Sequence, residues 1–190
     1  MLKSMNTKKQ TFTALALLIL IAALYRIVPG NFWGFTPMIA MAIFGGSVVR
    51  DRKLAFLLPL LSLFLSDLLF EGMYHYGIGD TPGFYEGQFT NYLLFTSLTL
   101  VGFFLRERKP LSILSGAVAA PVLFFLASNF MVWANHGGLK RPMTFNGLMM
   151  CYEDALPFFW NSLYGTMFFS ALLFGGYYFV KRYYLGMSKA

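Results

Sequence analysis

The stretch Thr36–Phe70, TPMIAMAIFGGSVV-RDRK-LAFLLPLLSLFLSDLLF, decides the fold. Two apolar runs, Thr36–Val49 and Leu54–Phe70, flank the charged knot Arg50-Asp51-Arg52-Lys53. A bilayer core about 30 Å thick takes roughly 20 apolar residues of helix. Backbone in lipid must pair within a helix or a closed barrel, and these runs are too long for barrel strands. The stretch therefore reads as two membrane helices joined by a short basic turn.

The same alternation extends in both directions. Thr11–Val28, Phe89–Leu105, Leu111–Trp133 and Leu156–Val180 complete a set of six spans. Lys3, Lys8 and Lys9 precede the first span, and Arg50, Arg52 and Lys53 join the second and third. Arg106, Arg108 and Lys109 join the fourth and fifth, and Lys181, Arg182 and Lys189 follow the sixth. Only Arg26, Lys140 and Arg141 fall on the other side. Lys and Arg collect in cytoplasmic loops, so the pattern predicts six transmembrane helices with both termini cytoplasmic. Asp67, Glu71, Asp80, Glu86, Glu153 and Asp154 fall at or beyond the outer ends. The net charge of +7 is thus a topological signature, and nucleic acid is not an expected partner.

Composition agrees. The chain has 190 residues, 57 % of them apolar and 12 % charged, with a mean hydropathy of +0.60, outside the range of ordinary soluble domains. Six spans leave no room for a soluble domain, so residues 1–190 read as one all-α integral membrane domain in contact with the lipid bilayer. Ala22-Ala23-Leu24-Tyr25-Arg26 offers no small-x-small cleavage site, which favours a retained first span over a signal peptide. The single cysteine, Cys151, excludes an internal disulfide and a cysteine-based metal cluster. No phosphate loop, dinucleotide fingerprint, His-Glu-x-x-His or Gly-x-Ser-x-Gly occurs. No enzymatic activity, cofactor or intrinsic metal is expected.

The inner loops are short and basic, whereas the outer loops are long and aromatic, so specific chemistry belongs on the outer face. Asp67 and Glu71, four apart, share a helix face. An ionised group inside a span needs a partner or a cavity, so Asp67 reads as a structural anchor, a ligand contact or a proton relay. Asn129 and Asn161 lie at similar depth in spans five and six. They bond either another helix or a ligand. Tyr74, His75, His136 and Tyr152 fall in outer loops, as does Cys151. Asn31, Phe32, Trp33, Trp133 and Trp160 add aromatic and amide surface suited to an apolar pocket with a few polar groups. For any one aromatic, interface anchoring is the ordinary alternative. Span two is short, which suggests tilt, thinning of the bilayer or protein burial at one end. Its Ala42-x-x-x-Gly46 permits close contact with another helix, in this chain or a partner. Gly116-x-x-x-Ala120 and Ala171-x-x-x-Gly175 repeat the pattern.

Asn31-Phe32 with Thr36–Gly46, Leu58-Pro59-Leu60 with Ser66-Asp67-Leu68, Ser128-Asn129-Phe130 with Trp133, and Cys151-Tyr152 with Ala155–Phe159 together resemble the signature of small bacterial membrane proteins grouped as DUF6580. The resemblance covers about residues 25 to 165. That family is similar to the substrate-binding S components of energy-coupling-factor (ECF) vitamin transporters, solitary vitamin B12 types included. It implies a six-helix bundle in the bacterial inner membrane that binds a small-molecule vitamin near the outer face. Cobalamin or a precursor is the first candidate, with His75, His136 or Cys151 able to offer a donor to its cobalt. The implied partners are an ECF-type coupling subunit and its ATPases. One departure stands out: Ala14, Ala16, Ala22 and Ala23 form no Ala-x-x-x-Ala pair in the first helix, where many S components carry one.

Two other classes fit the same composition. A non-catalytic accessory subunit of a larger membrane complex would mate Asp67, Asn129 and Asn161 with one another or with a partner, leaving no cavity. A small membrane enzyme would need acid, base and nucleophile converging near Asp67.

Overall fold

The computed structural model describes residues 2–28, 34–105 and 109–187. They form α1 (Leu2–Ile27), α2 (Met38–Val48), α3 (Arg52–His75), α4 (Gln88–Ser97), α5 (Thr99–Phe104), α6 (Pro110–Ala134) and α7 (Phe145–Met187), with no strand among them. The all-α expectation holds. Three helices are long and apolar enough to cross a membrane, Arg52–His75, Pro110–Ala134 and Phe145–Arg182, and Thr13–Ile27 and Met38–Val48 are shorter apolar helices. The chain is built as a membrane protein.

The core is α2. Its 11 residues span about 16 Å, half of a bilayer core. Every side chain from Met38 to Ser47 is buried. A helix that is apolar all round belongs inside, and α2 is surrounded by α3, α4, α5, α6 and α7. The contact with α5 is made backbone to backbone. A Cβ on Gly46 would sit 2.2 Å from the Thr99 carbonyl oxygen, and one on Gly102 would sit 2.3 Å from that of Ile43. Ala42 and Gly46 are therefore both buried in packing within this chain. Around α2, α1 packs on α3 and α6 packs on α7.

Several boundaries differ from the sequence expectation, each for a local reason. The fourth span is broken at Leu98 into α4 and α5. Hydroxyls crowd the break, and Ser97 donates to the Leu94 carbonyl at 2.7 Å, competing with the helical backbone. α3 runs beyond Phe70 to His75, so Tyr74 and His75 close a helix and are not loop residues. It starts on Asp51, whose carboxylate accepts from the Lys53 and Leu54 amides at 2.8 and 3.3 Å. It ends on Gly77 at φ 68°, with Gly77 N–H bonded to Tyr74 O and Ile78 N–H to Met73 O, a Schellman closure.

The largest departure is α7. The expected loop Asn135–Ala155 ends at Thr144, where the Thr144 hydroxyl accepts the Gly147 amide at 3.1 Å and starts a helix of 43 residues. Cys151 and Tyr152, expected in a loop, lie on this helix. Both contact α6: the Cys151 thiol faces the Asn129 carbonyl at 3.6 Å, and the Tyr152 hydroxyl donates to Leu126 O at 3.0 Å.

Candidate functional site: a cleft at the acidic end

α1, α3 and α6 finish at one end of the bundle, where Asp67, Glu71, Asp80, Glu86, Glu153 and Asp154 collect. Two polar assemblies organise this acidic end. The first is closed. Asp67 is 2 % exposed, and its Oδ1 takes the Arg26 guanidinium at 2.9 Å. Its Oδ2 accepts from Tyr92 at 2.8 Å and from the Gln88 amide. Arg26 also bonds the Ser66 hydroxyl and lies 5.6 Å from the Phe70 ring centroid. A buried carboxylate is tolerable only when paired and hydrogen-bonded. This one ties α1, α3 and α4 together. One turn on, Glu71 Oε2 accepts the Gly83 and Phe84 amides at 3.0 and 3.2 Å, folding the α3–α4 loop over the helix end. Only glycine fits at position 83, because a Cβ there would lie 1.8 Å from the Asp67 carbonyl oxygen.

The second assembly is open. A cleft of about 720 Å³ lies between the start of α4 and the end of α6, lined by Tyr85, Glu86, Asn91, Ser128, Asn135, His136 and Lys140 among others. Tyr85 accepts from the Asn91 amide at 2.6 Å, and burial holds its phenol above the ordinary range, so it remains protonated. α6 ends in a Schellman closure like that of α3, with His136 N–H on Trp133 O at 3.1 Å and Gly137 N–H on Val132 O at 2.8 Å. Here the left-handed position holds His136, φ 53°, although Gly137 and Gly138 follow immediately. Lys140 is also left-handed, at φ 51°. These are the two non-glycine residues of positive φ among those described, and both line the cleft. Strain of this kind gathers at binding sites. Ser128 also lines a smaller cavity of about 190 Å³ between α6 and α7, with Gly34, Asn129, Phe158 and Ser162.

The loop that carries His136 and Lys140 is clasped to α7. Arg141 makes a two-pronged bond with Asp154, both arms at 2.8 Å, and Trp133 donates its indole N–H to Pro142 O at 2.9 Å.

Of the residues singled out in the sequence, His136 lines the cleft and Asn129 the small cavity, where its amide donates to Phe125 O at 2.8 Å. Trp133 and Tyr152 hold the surrounding elements together. Asp67 and Glu71 are engaged in the closed assembly. Tyr74, His75 and Trp160 are exposed, Trp160 stacking with Tyr164 at 6.3 Å, and Asn161 is half-buried on α7. Asn31, Phe32 and Trp33 lie outside the described residues. No three His, Cys, Asp or Glu side chains converge as metal ligands among the described residues. Tyr85, Glu86, Asn91, Asn135 and Lys140 are cleft residues that the sequence did not single out. The Asn-His-Gly-Gly run was the available signal, a helix stop with more glycine than it needs. No curated protein and no solved structure matches the chain, whereas the model of a family of unknown function, DUF6580, matches residues 6–188, so the chain belongs to that family.

Proposed function

We propose that this protein is a substrate-binding membrane subunit, or solitary importer, for a vitamin-like micronutrient, without catalytic activity of its own. It crosses the bacterial inner membrane six times with both termini in the cytoplasm, and the acidic end faces out. The support for this topology is the collection of Lys and Arg at the opposite end.

The observation that carries the functional reading is the cleft. Its volume of about 720 Å³ lies within the roughly 300–1,000 Å³ typical of small-molecule pockets. Its lining combines an aromatic ring, amides, an imidazole and one charge of each sign, which suits a partly apolar molecule with several hydrogen-bonding groups. The two strained residues, His136 and Lys140, both line it. The likeness to ECF S components supplies the transport half of the reading, and a coupling subunit with ATPases is the partner it would require.

The test is purification of the protein from native membranes, followed by mass spectrometry of the small molecules released. A stoichiometric vitamin-like compound is expected, lost from His136→Ala and Lys140→Ala variants that still fold. Empty wild-type protein after mild purification, with the same extract failing to shift its melting temperature, would overturn the reading.

A further inference from the structure

The opposite, basic end carries a second cavity with different chemistry. At that end α6 and α7 leave a groove of about 680 Å³ along the side of the bundle. Pro110, Ile113, Leu114 and Ala117 form one wall, at the i, i+3, i+4, i+7 spacing of a single helix face. Met167, Ser170, Ala171, Phe174, Gly175 and Tyr178 form the other with the same periodicity. Ala171 and Gly175 keep it open, and a Cβ on Gly175 would meet nothing within 4 Å. Apart from the Ser170 hydroxyl, the lining is apolar until the groove reaches Tyr177, Tyr178 and Lys181 at its end, with exposed Arg182 next in the chain.

We propose that this groove is a binding site for one anionic phospholipid, its acyl chain between α6 and α7 and its phosphate at Lys181. Three features select this occupant. An apolar channel that opens on a cation matches an amphiphile with a negative head. Tyrosines beside the lysine are the residues that lie at headgroup level. A second copy of this chain, packed parallel on the same groove, would bring Lys181 against Lys181, so self-association is disfavoured.

The experiment is native mass spectrometry of the purified full-length protein titrated with phosphatidylglycerol or with phosphatidylcholine of the same chains. One cation near a charged headgroup is worth about a fivefold preference. Phosphatidylglycerol should therefore bind about fivefold more tightly than phosphatidylcholine, and Lys181→Gln should abolish the difference. Ala171→Leu fills the channel from an exposed position and should weaken both lipids more than tenfold. Ser170→Ala separates an acyl chain from a protein helix. The Ser170 hydroxyl is buried at the groove without an acceptor, and an acyl chain offers it none. Its removal should leave lipid affinity unchanged. Equal binding of the two lipids, indifference to Ala171→Leu, or weaker binding in Ser170→Ala would each overturn the proposal.

Discussion

At the scale of single residues, the polar chemistry of the acidic end divides into groups that hold the fold and groups that hold the cleft open. Asp67 belongs to the first. Truncating it leaves the Arg26 charge and the Gln88 and Tyr92 donors without their acceptor, and breaking such a pair costs about 3 kcal/mol or more. Asp67→Ala should therefore lower the melting temperature in detergent sharply. His136 belongs to the second group, and the opposite sign is expected. Left-handed backbone costs an L-residue about 1–2 kcal/mol and costs glycine little, so His136→Gly should stabilise the protein by about 1 kcal/mol while reducing retention of the bound small molecule. A loss of stability on that substitution would mean that the imidazole, and not a ligand, accounts for the strain. The clasp Arg141–Asp154 fixes the loop beside Trp133, so Asp154→Asn should loosen that loop, and a change in Trp133 fluorescence should report it.

Among the elements, α2 and α5 depend on each other most directly. Gly46→Ala would push a methyl into the Thr99 carbonyl, and overpacking of this kind costs about 3 kcal/mol. Gly176→Ala meets nothing within 4 Å and should be neutral. Expression and thermal melting of the two variants side by side check the contrast. The helices were legible in the sequence because apolar runs and their flanking charges report directly on burial and insertion. The shortness of span two left tilt, thinning and burial at one end open, and only the structure shows it buried from Met38 to Ser47. Where reading failed, short-range polar chemistry had overruled the apolar pattern. Ser97 and its hydroxyl neighbours broke span four at Leu98. Thr144 caps an α7 that begins eleven residues before the expected span at Leu156, carrying Cys151 and Tyr152 out of the expected loop. The candidate site was less legible. His136 and Asn129 could be named, but Tyr85, Asn91 and Lys140 join them only because α4 and α6 meet in space, which spacing along the chain does not encode.

For the whole molecule, the proposed orientation is open to a direct check. In a Cys151→Ala background, Asp80→Cys should react with an impermeant thiol reagent added outside intact cells, and Arg108→Cys only after the membrane is opened. Labelling of both from one side would refute six spans with cytoplasmic termini. The enclosure of α2 has a further consequence, for the order in which the protein is made. Phe44 rests against Phe174 and Tyr177, residues of α7, which is synthesised after the other six helices. Helices can enter the bilayer one after another as they emerge from the ribosome, but the groups around α2 are incomplete until α7 arrives. Insertion and folding are thus separated in time, and chains that stop before α7 keep an unfinished centre that membrane quality control can recognise.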